Sequence, residues 1–227
     1  MKRIIGYFSK GEMLLWGCSA GLIVLSFCLF DGSNLMILFA SLVGVTSILI
    51  NAKGNPLGQG LMILFSLLYA IVSYSFSYFG EMITYLGMTM PMAVVSVVSW
   101  LRNPYKGNRA EVKVGGFGKH ELVWMFVAAA FVTGIFYFIL RYFHTANLLP
   151  STVSVTTSFI AAWLTFRRNP YFSIAYAAND LILIILWTLA SVTDLRYIPV
   201  AVCFGAFLAN DIYGFVSWQK MKKRQSE

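Results

Sequence analysis

The chain has 227 residues, of which 59% are hydrophobic and only 11% charged, and its mean hydropathy is +0.73. Soluble domains are about 25% charged, so this composition excludes a soluble fold and describes a polytopic membrane protein. The net charge of +8 does not indicate nucleic acid, because the Lys and Arg residues sit in short loops between apolar stretches, where they report topology.

Residues 2–10 mix Lys2, Arg3 and Lys10 with Ile4, Ile5, Tyr7 and Phe8. That pattern suits a short interfacial segment or a free tail. The basic start and the apolar run after it imitate a secretory leader. No Ala-x-Ala site follows, so the run reads as a membrane helix.

Eight apolar stretches of near-spanning length lie at about 13–30, 35–51, 59–79, 82–101, 120–140, 148–166, 171–193 and 197–219. The fold class is therefore all-α, with eight transmembrane helices. The joins at 30–35 and 79–82 are so short that the helices they connect are hairpin neighbours. The second stretch is short for a perpendicular crossing. Pro91 lies inside the fourth and predicts a kink, as a gate element or as packing. Cys18, Cys28 and Cys203 fall in apolar stretches without Cys-x-x-Cys spacing and read as buried small hydrophobes. The longest loop, 102–119, reads as a basic linker, so no soluble enzyme domain fits anywhere. No nucleophile–base pair, metal cluster or phosphate loop is visible, so neither an enzyme nor a cofactor is expected. A membrane scaffold or an integral-membrane enzyme is the alternative of a different class.

Fifteen of the 17 Lys and Arg residues fall in the amino terminus, the 2–3, 4–5 and 6–7 loops and the carboxy terminus. Only Arg141 and Arg196 fall on the other side. This asymmetry places both termini in the cytosol, in agreement with an even number of spans.

The chain repeats itself. Thr46-Ser-Ile-Leu-Ile-Asn-Ala-Lys-Gly-Asn-Pro56 resembles Ser158-Phe-Ile-Ala-Ala-Trp-Leu-Thr-Phe-Arg-Arg-Asn-Pro170, and the Asn-Pro pairs align at an offset of 114. Spans four and eight both end in Ser-Trp, at Ser99-Trp100 and Ser217-Trp218. The expected domains are an amino-terminal segment with an extra helix (1–34), a three-helix bundle (35–101), a linker with a connecting helix (102–147) and a second three-helix bundle with a basic tail (148–227). Two parallel three-helix repeats joined by one helix form a three-plus-one-plus-three topology, similar to that of the SWEET sugar transporters. At the 114 offset Gln59, Ser66 and Ser73 lie over Ser173, Asp180 and Trp187. The same stripe is polar in both halves, and only the second carries an acid and a large aromatic.

Two Asn-Asp pairs stand inside apolar helices. A charge in hydrocarbon costs roughly 2.5 kcal/mol or more, so each acid needs a partner or a task. At about 100° per residue, Phe172, Tyr176, Asn179, Asp180, Leu183 and Trp187 share one face. Phe207, Asn210, Asp211, Gly214 and Trp218 share another. An anion between aromatic rings suits a cationic or aromatic ligand. The alternative is that each carboxyl only ties helices together. Asp180 and Asp211 each lie eight residues, or roughly 12 Å, in from the cytosolic boundary, near the midplane of a core about 30 Å thick. Span six adds Ser154, Thr157, Ser158 and Thr165, which bond either ligand or backbone.

Asn147-Leu-Leu-Pro-Ser-Thr-Val-Ser-Val-Thr-Thr-Ser158, Leu164-Thr-Phe-Arg-Arg168, Tyr176-Ala-Ala-Asn-Asp180 with Trp187, and Phe207-Leu-Ala-Asn-Asp-Ile-Tyr-Gly-Phe-Val-Ser-Trp218 resemble the PnuC family, bacterial inner-membrane transporters of nicotinamide riboside. The linker from Asn103-Pro to Arg109-Ala-Glu-Val-Lys113 is also similar, and the resemblance covers about residues 35–222. Many members carry Trp-x-x-Trp-x-x-x-Asn at the start of span seven. Here the stretch is Phe172 to Asp180, with Tyr176 and no Trp. The resemblance implies a transporter for nicotinamide riboside, a pyridinium cation bearing a ribose. Tyr176 and Trp187 would sandwich the ring, and Asp180 or Asp211 would balance its charge. Asn179, Asn210 and Gln59 would bond the carboxamide or ribose hydroxyls, with Tyr213 as a further candidate. The implied mechanism is facilitated diffusion by alternating access, with trapping by cytosolic phosphorylation. Thiamine or riboflavin as substrate and proton-coupled uptake are the alternatives. The resemblance also implies a homo-oligomer, with a trimer as one form.

Overall fold

The computed structural model describes residues 7–145 and 147–227. Among the described residues the chain forms eight long helices: α1 (Lys10–Phe30), α2 (Leu35–Asn51), α3 (Pro56–Ser75), α4 (Phe79–Leu101), α5 (Lys119–Tyr142), α6 (Leu148–Phe166), α7 (Phe172–Ser191) and α8 (Ile198–Ser226). Most of the expected interfacial segment, residues 1–6, lies outside the described residues. Seven of the helices are long and apolar enough to cross a membrane. At 17 residues, α2 reaches about 25 Å, a little less than a hydrocarbon core.

Local chemistry sets the helix ends. Ser9 and Glu12 form a capping box that starts α1. Asn55 caps α3 by accepting from the Leu57 amide, with Pro56 at the first helical position. Asn169 accepts in the same way from the Tyr171 amide after α6. The two Asn-Pro turns match bond for bond. Asn55 and Asn169 donate their amides to Ile50 and Leu164, and Gly54 and Arg168, both left-handed, donate to Asn51 and Thr165. The 114 offset inferred from the sequence is therefore a structural equivalence. It also explains why α3 starts at Pro56, earlier than hydropathy places it. The Asn-Pro turn sets that boundary.

The Pro91 expectation resolves into a specific distortion. Residues Tyr85–Thr89 form a π-helical turn, closed by the Met90 amide on the Tyr85 carbonyl. A proline clashes with the carbonyl four residues before it. Here that carbonyl belongs to Gly87, and the widened turn makes room for the ring.

Within each half the helices pack in sequence, α2 on α3 on α4 and α6 on α7 on α8. Across the halves α8 packs on α2, and α4 packs on α6. The supernumerary helix α1 packs on α2 and α8, much as α5 packs on α6 and the start of α4. By position α1 is thus the counterpart of α5. Its outer side is exposed, which overturns the burial expected of two cysteines. Cys18 and Cys28 lie on that side, and only Cys203 is buried.

The linker is more than a loop. Strands β1 (Pro104–Tyr105) and β2 (Asn108–Val112) pair antiparallel around Lys106-Gly107. Both turn residues have positive φ, of 48° and 80°, the geometry that matches the twist of a tight hairpin. Val112 is fully buried, and its amide bonds the Gly54 carbonyl. Arg224 pairs with Glu111, and Gln225 bonds the amide of Val114. The basic loops thus gather at one end of the bundle.

Candidate functional site

A small cavity lies at the seam between the halves, lined by α2, α3, α4, α6, α7 and α8. The face of α7 that faces it carries Phe172, Tyr176, Asn179 and Asp180, spaced as one helical stripe. Asp211 reaches it from α8, with Phe204 and Phe207 beside it. From the first half come Ile48 and Asn51 on α2, Met62 and Phe65 on α3, and Tyr85 and Thr89 on the distorted turn of α4. Ser158 on α6 completes the lining.

The polar groups concentrate on the second half. Asn179 Oδ1 lies 2.8 Å from Thr157 Oγ1 and 3.0 Å from Ser158 Oγ. Two hydroxyls therefore hold the amide in place. Asp180 and Asp211 face the same cavity from neighbouring helices. Both are buried, and Asp180 Oδ2 has no protein partner among the described residues. Leaving a buried polar atom unmet costs about 1–3 kcal/mol, so this oxygen is a candidate acceptor for a ligand group.

Of the ligand residues implied by the resemblance, Tyr176, Asn179, Asp180 and Asp211 come together on the cavity, and Gln59, Trp187, Asn210 and Tyr213 do not line it. Gln59 stands behind Asn51, whose Oδ1 accepts its Nε2 at 3.0 Å. Asn210 turns toward α1 and donates to Ser19 Oγ and to the Ala206 carbonyl, each at 2.8 Å. Tyr213 also faces α1, donating to Glu12 Oε1 at 2.7 Å. Lys53 reaches the same Glu12 carboxylate. These side chains are spoken for by a helix that the repeat pattern left as an addition.

Trp187 lies seven residues beyond Asp180, away from the basic end. Its Nε1 donates to Tyr69 OH at 2.7 Å, and its ring packs on Tyr78, Phe76 and Tyr197. It is part of an aromatic layer that seals the cavity on the side opposite the basic loops. A second layer, Trp100, Phe172 and Trp218, seals the basic side. Only about 30 Å³ remains between them for solvent, which is room for one or two waters. Small-molecule sites hold about 300 Å³ or more, so loading this cavity requires side chains or helices to move.

Sequence reasoning missed Asn51, Phe65, Tyr85 and Thr89. The 114 offset contained a signal for two of them. Asn51 is the counterpart of Thr165, and Phe65 is the counterpart of Asn179. Glu81 was missed as well, because hydropathy leaves it in a loop. It is buried at the start of α4, and its Oε2 has no hydrogen-bond partner among the described residues. Among the described residues no group of three or more His, Cys, Asp or Glu side chains is placed to hold a metal ion.

Comparison with known proteins gives three findings. Residues 34–220 match the family described as nicotinamide mononucleotide transporter. The nicotinamide riboside transporter PnuC of Neisseria mucosa is 27% identical over 203 residues, covering 87% of this chain and 76% of that protein. The crystal structure of the vitamin B3 transporter PnuC superposes with a TM-score of 0.83, covering 96% of this chain and 94% of the other at 22% identity. At that identity the superposition establishes the shared fold.

Proposed function

We propose that this chain, which belongs to the nicotinamide mononucleotide transporter family, imports nicotinamide riboside across the bacterial inner membrane. The observation that carries the substrate is the buried carboxyl pair, Asp180 and Asp211, opening on one cavity beside Tyr176 and Phe172. A pyridinium ring is a flat cation. It gains from a carboxylate at its edge and from aromatic faces around it. Asn179, held by Thr157 and Ser158, supplies a fixed amide for the carboxamide or a ribose hydroxyl. The riboside of the Neisseria mucosa relative fits that description.

The transport cycle we infer is alternating access. The cavity sits between two aromatic seals, and its volume is far below that of the ligand, so it opens to one side at a time. The basic loops face the cytosol, by the Lys and Arg asymmetry. Facilitated diffusion needs no coupled ion, and phosphorylation of the riboside inside the cell would make uptake unidirectional. One observation favours proton coupling as a second reading, namely that two buried carboxyls, Asp180 and Asp211, line one small cavity. A proton carried by one of two buried carboxyls could be exchanged for an arriving cation.

Calorimetry on the purified protein with nicotinamide riboside, thiamine and riboflavin tests the substrate. Binding of the riboside alone is expected, and binding of thiamine or riboflavin in its place would overturn the assignment. Uptake into proteoliposomes with the proton gradient collapsed separates the two mechanisms. Persistent uptake fits facilitated diffusion, and its disappearance fits coupling.

A further inference from the structure

The seal at the basic end is built twice. Trp100 Nε1, at the end of α4, donates to the Thr165 carbonyl at the end of α6, at 2.9 Å. Trp218 Nε1, on α8, donates to the Asn51 carbonyl at the end of α2, at 2.8 Å. The serines before them do the same one residue on. Ser99 Oγ donates to the Phe166 carbonyl at 2.8 Å, and Ser217 Oγ donates to the Ala52 carbonyl at 2.7 Å. Thr165 and Phe166 lie 114 residues after Asn51 and Ala52, so the two sets of bonds are images of each other. Each runs from the last helix of one half to the first helix of the other.

The acceptors are carbonyls at the carboxy-terminal ends of α2 and α6, which have lone pairs that the helix itself does not use. The donors are aimed at them from buried positions, and both indoles are fully buried. The two indoles also pack on each other, with ring centroids 5.4 Å apart, and both touch Phe172. Phe172 and Asn51 line the cavity. The closure and the cavity therefore share residues.

We propose that Ser99-Trp100 and Ser217-Trp218 are the two copies of one cytosolic gate, and that the cavity opens to the cytosol when their four cross-half bonds release. The proposal rests on the transport reading above. It assigns to the paired Ser-Trp endings, which the repeat singled out and the binding site did not use, the task of keeping the cytosolic mouth shut. No soluble cap is needed, because the helix ends themselves supply the acceptors. The β-hairpin adds Val112 beneath the indoles.

The test reads the gate without ligand. A Thr89→Cys reporter in the cavity is placed in a Cys18→Ala, Cys28→Ala, Cys203→Ala chain. Vesicles of each orientation are then treated with a membrane-impermeant maleimide. Trp100→Phe combined with Trp218→Phe keeps the aromatic packing and removes two bonds. A hydrogen bond contributes about 0.5–1.5 kcal/mol net. Labelling from the cytosolic side should therefore rise about fivefold to a hundredfold. Ser99→Ala combined with Ser217→Ala should act in the same direction, and reads the gate if the indole variants fail to fold. Labelling from the opposite side should stay the same or fall. Unchanged or slower cytosolic labelling in both pairs overturns the proposal. So does an equal rise from both sides, which would mean general loosening. Failure to bind the riboside would sink the substrate assignment and leave this result standing.

Discussion

The two halves share a backbone and differ in what they present to the cavity. Met62 and Phe65 on α3 occupy the same repeat positions as Tyr176 and Asn179 on α7, and all four line the cavity. Ser66, the counterpart of Asp180, turns its hydroxyl back onto the Met62 carbonyl at 2.8 Å. At these equivalent positions α3 thus provides an apolar wall, and α7 provides the charge and the amide. At the basic end the halves agree instead, bond for bond. What is duplicated closes the molecule, and what is unique to one half recognises a ligand. The copies of the closure are still not identical. Arg168 reaches Ser99 Oγ at 3.1 Å, whereas its counterpart Gly54 has no side chain to offer Ser217.

That contrast can be broken at its strongest point. Asp180→Asn removes the feature that most separates α7 from α3. Calorimetry should show binding of a cationic ligand weakened about tenfold to a hundredfold, the value of a charge-assisted contact. A neutral analogue should lose less than about threefold. Equal losses would remove the counter-ion role.

Gly44 and Ser158 occupy equivalent positions on α2 and α6. A Cβ at Gly44 would collide with the rings of Phe207 and Phe65. Gly44→Ala should therefore destabilise the seam by about 1–3 kcal/mol. Thermal unfolding in detergent should show a fall of several degrees, and an unchanged midpoint would mean that the two rings can shift.

The seal opposite the basic end has no duplicated counterpart. Trp187 depends there on one acceptor, since the position equivalent to Tyr69 is Leu183. Tyr69→Phe leaves the buried indole N–H unmet at about 1–2 kcal/mol, and the unfolding midpoint should fall by a few degrees. Thr157→Val writes into the second half the residue that the first carries there, Val43. Ser158 still bonds Asn179, so riboside binding should weaken less than about threefold. A larger loss would show that Thr157 alone fixes the amide. The smallest effect belongs outside the repeat. Asp194, in the α7–α8 connection, is held below the ordinary carboxylate range by hydrogen bonds from Arg196. The pair therefore persists through that range and is lost only as pH falls below it. Arg196 is exposed and Asp194 half-buried at the surface, so Asp194→Asn should leave the unfolding midpoint within about 1 °C.

The sequence determined the architecture because membrane burial acts on each segment separately. Every span must hide its own backbone in a helix, so hydropathy alone counted eight and the Lys and Arg residues sorted the loops. The repeat was legible for a related reason. An Asn-Pro turn is local chemistry, and two copies of it set the 114 offset that the hydrogen bonds reproduce. The α7 stripe of Phe172, Tyr176, Asn179 and Asp180 was legible because one helix keeps its own periodicity. What each side chain meets was decided only by the packing of helices far apart in sequence. Helical spacing put Trp187 on the same stripe as Asp180, and the fold moved it into the opposite seal because Tyr69 offered its hydroxyl there. The same spacing put Asn210 beside Asp211, and α1 drew Asn210 away with Ser19. Val112 under the indoles, Asn51 on the cavity and the crossed Ser-Trp bonds all join elements tens to more than a hundred residues apart. No local pattern encodes such a meeting, because it is the tertiary arrangement that brings donor and acceptor within reach.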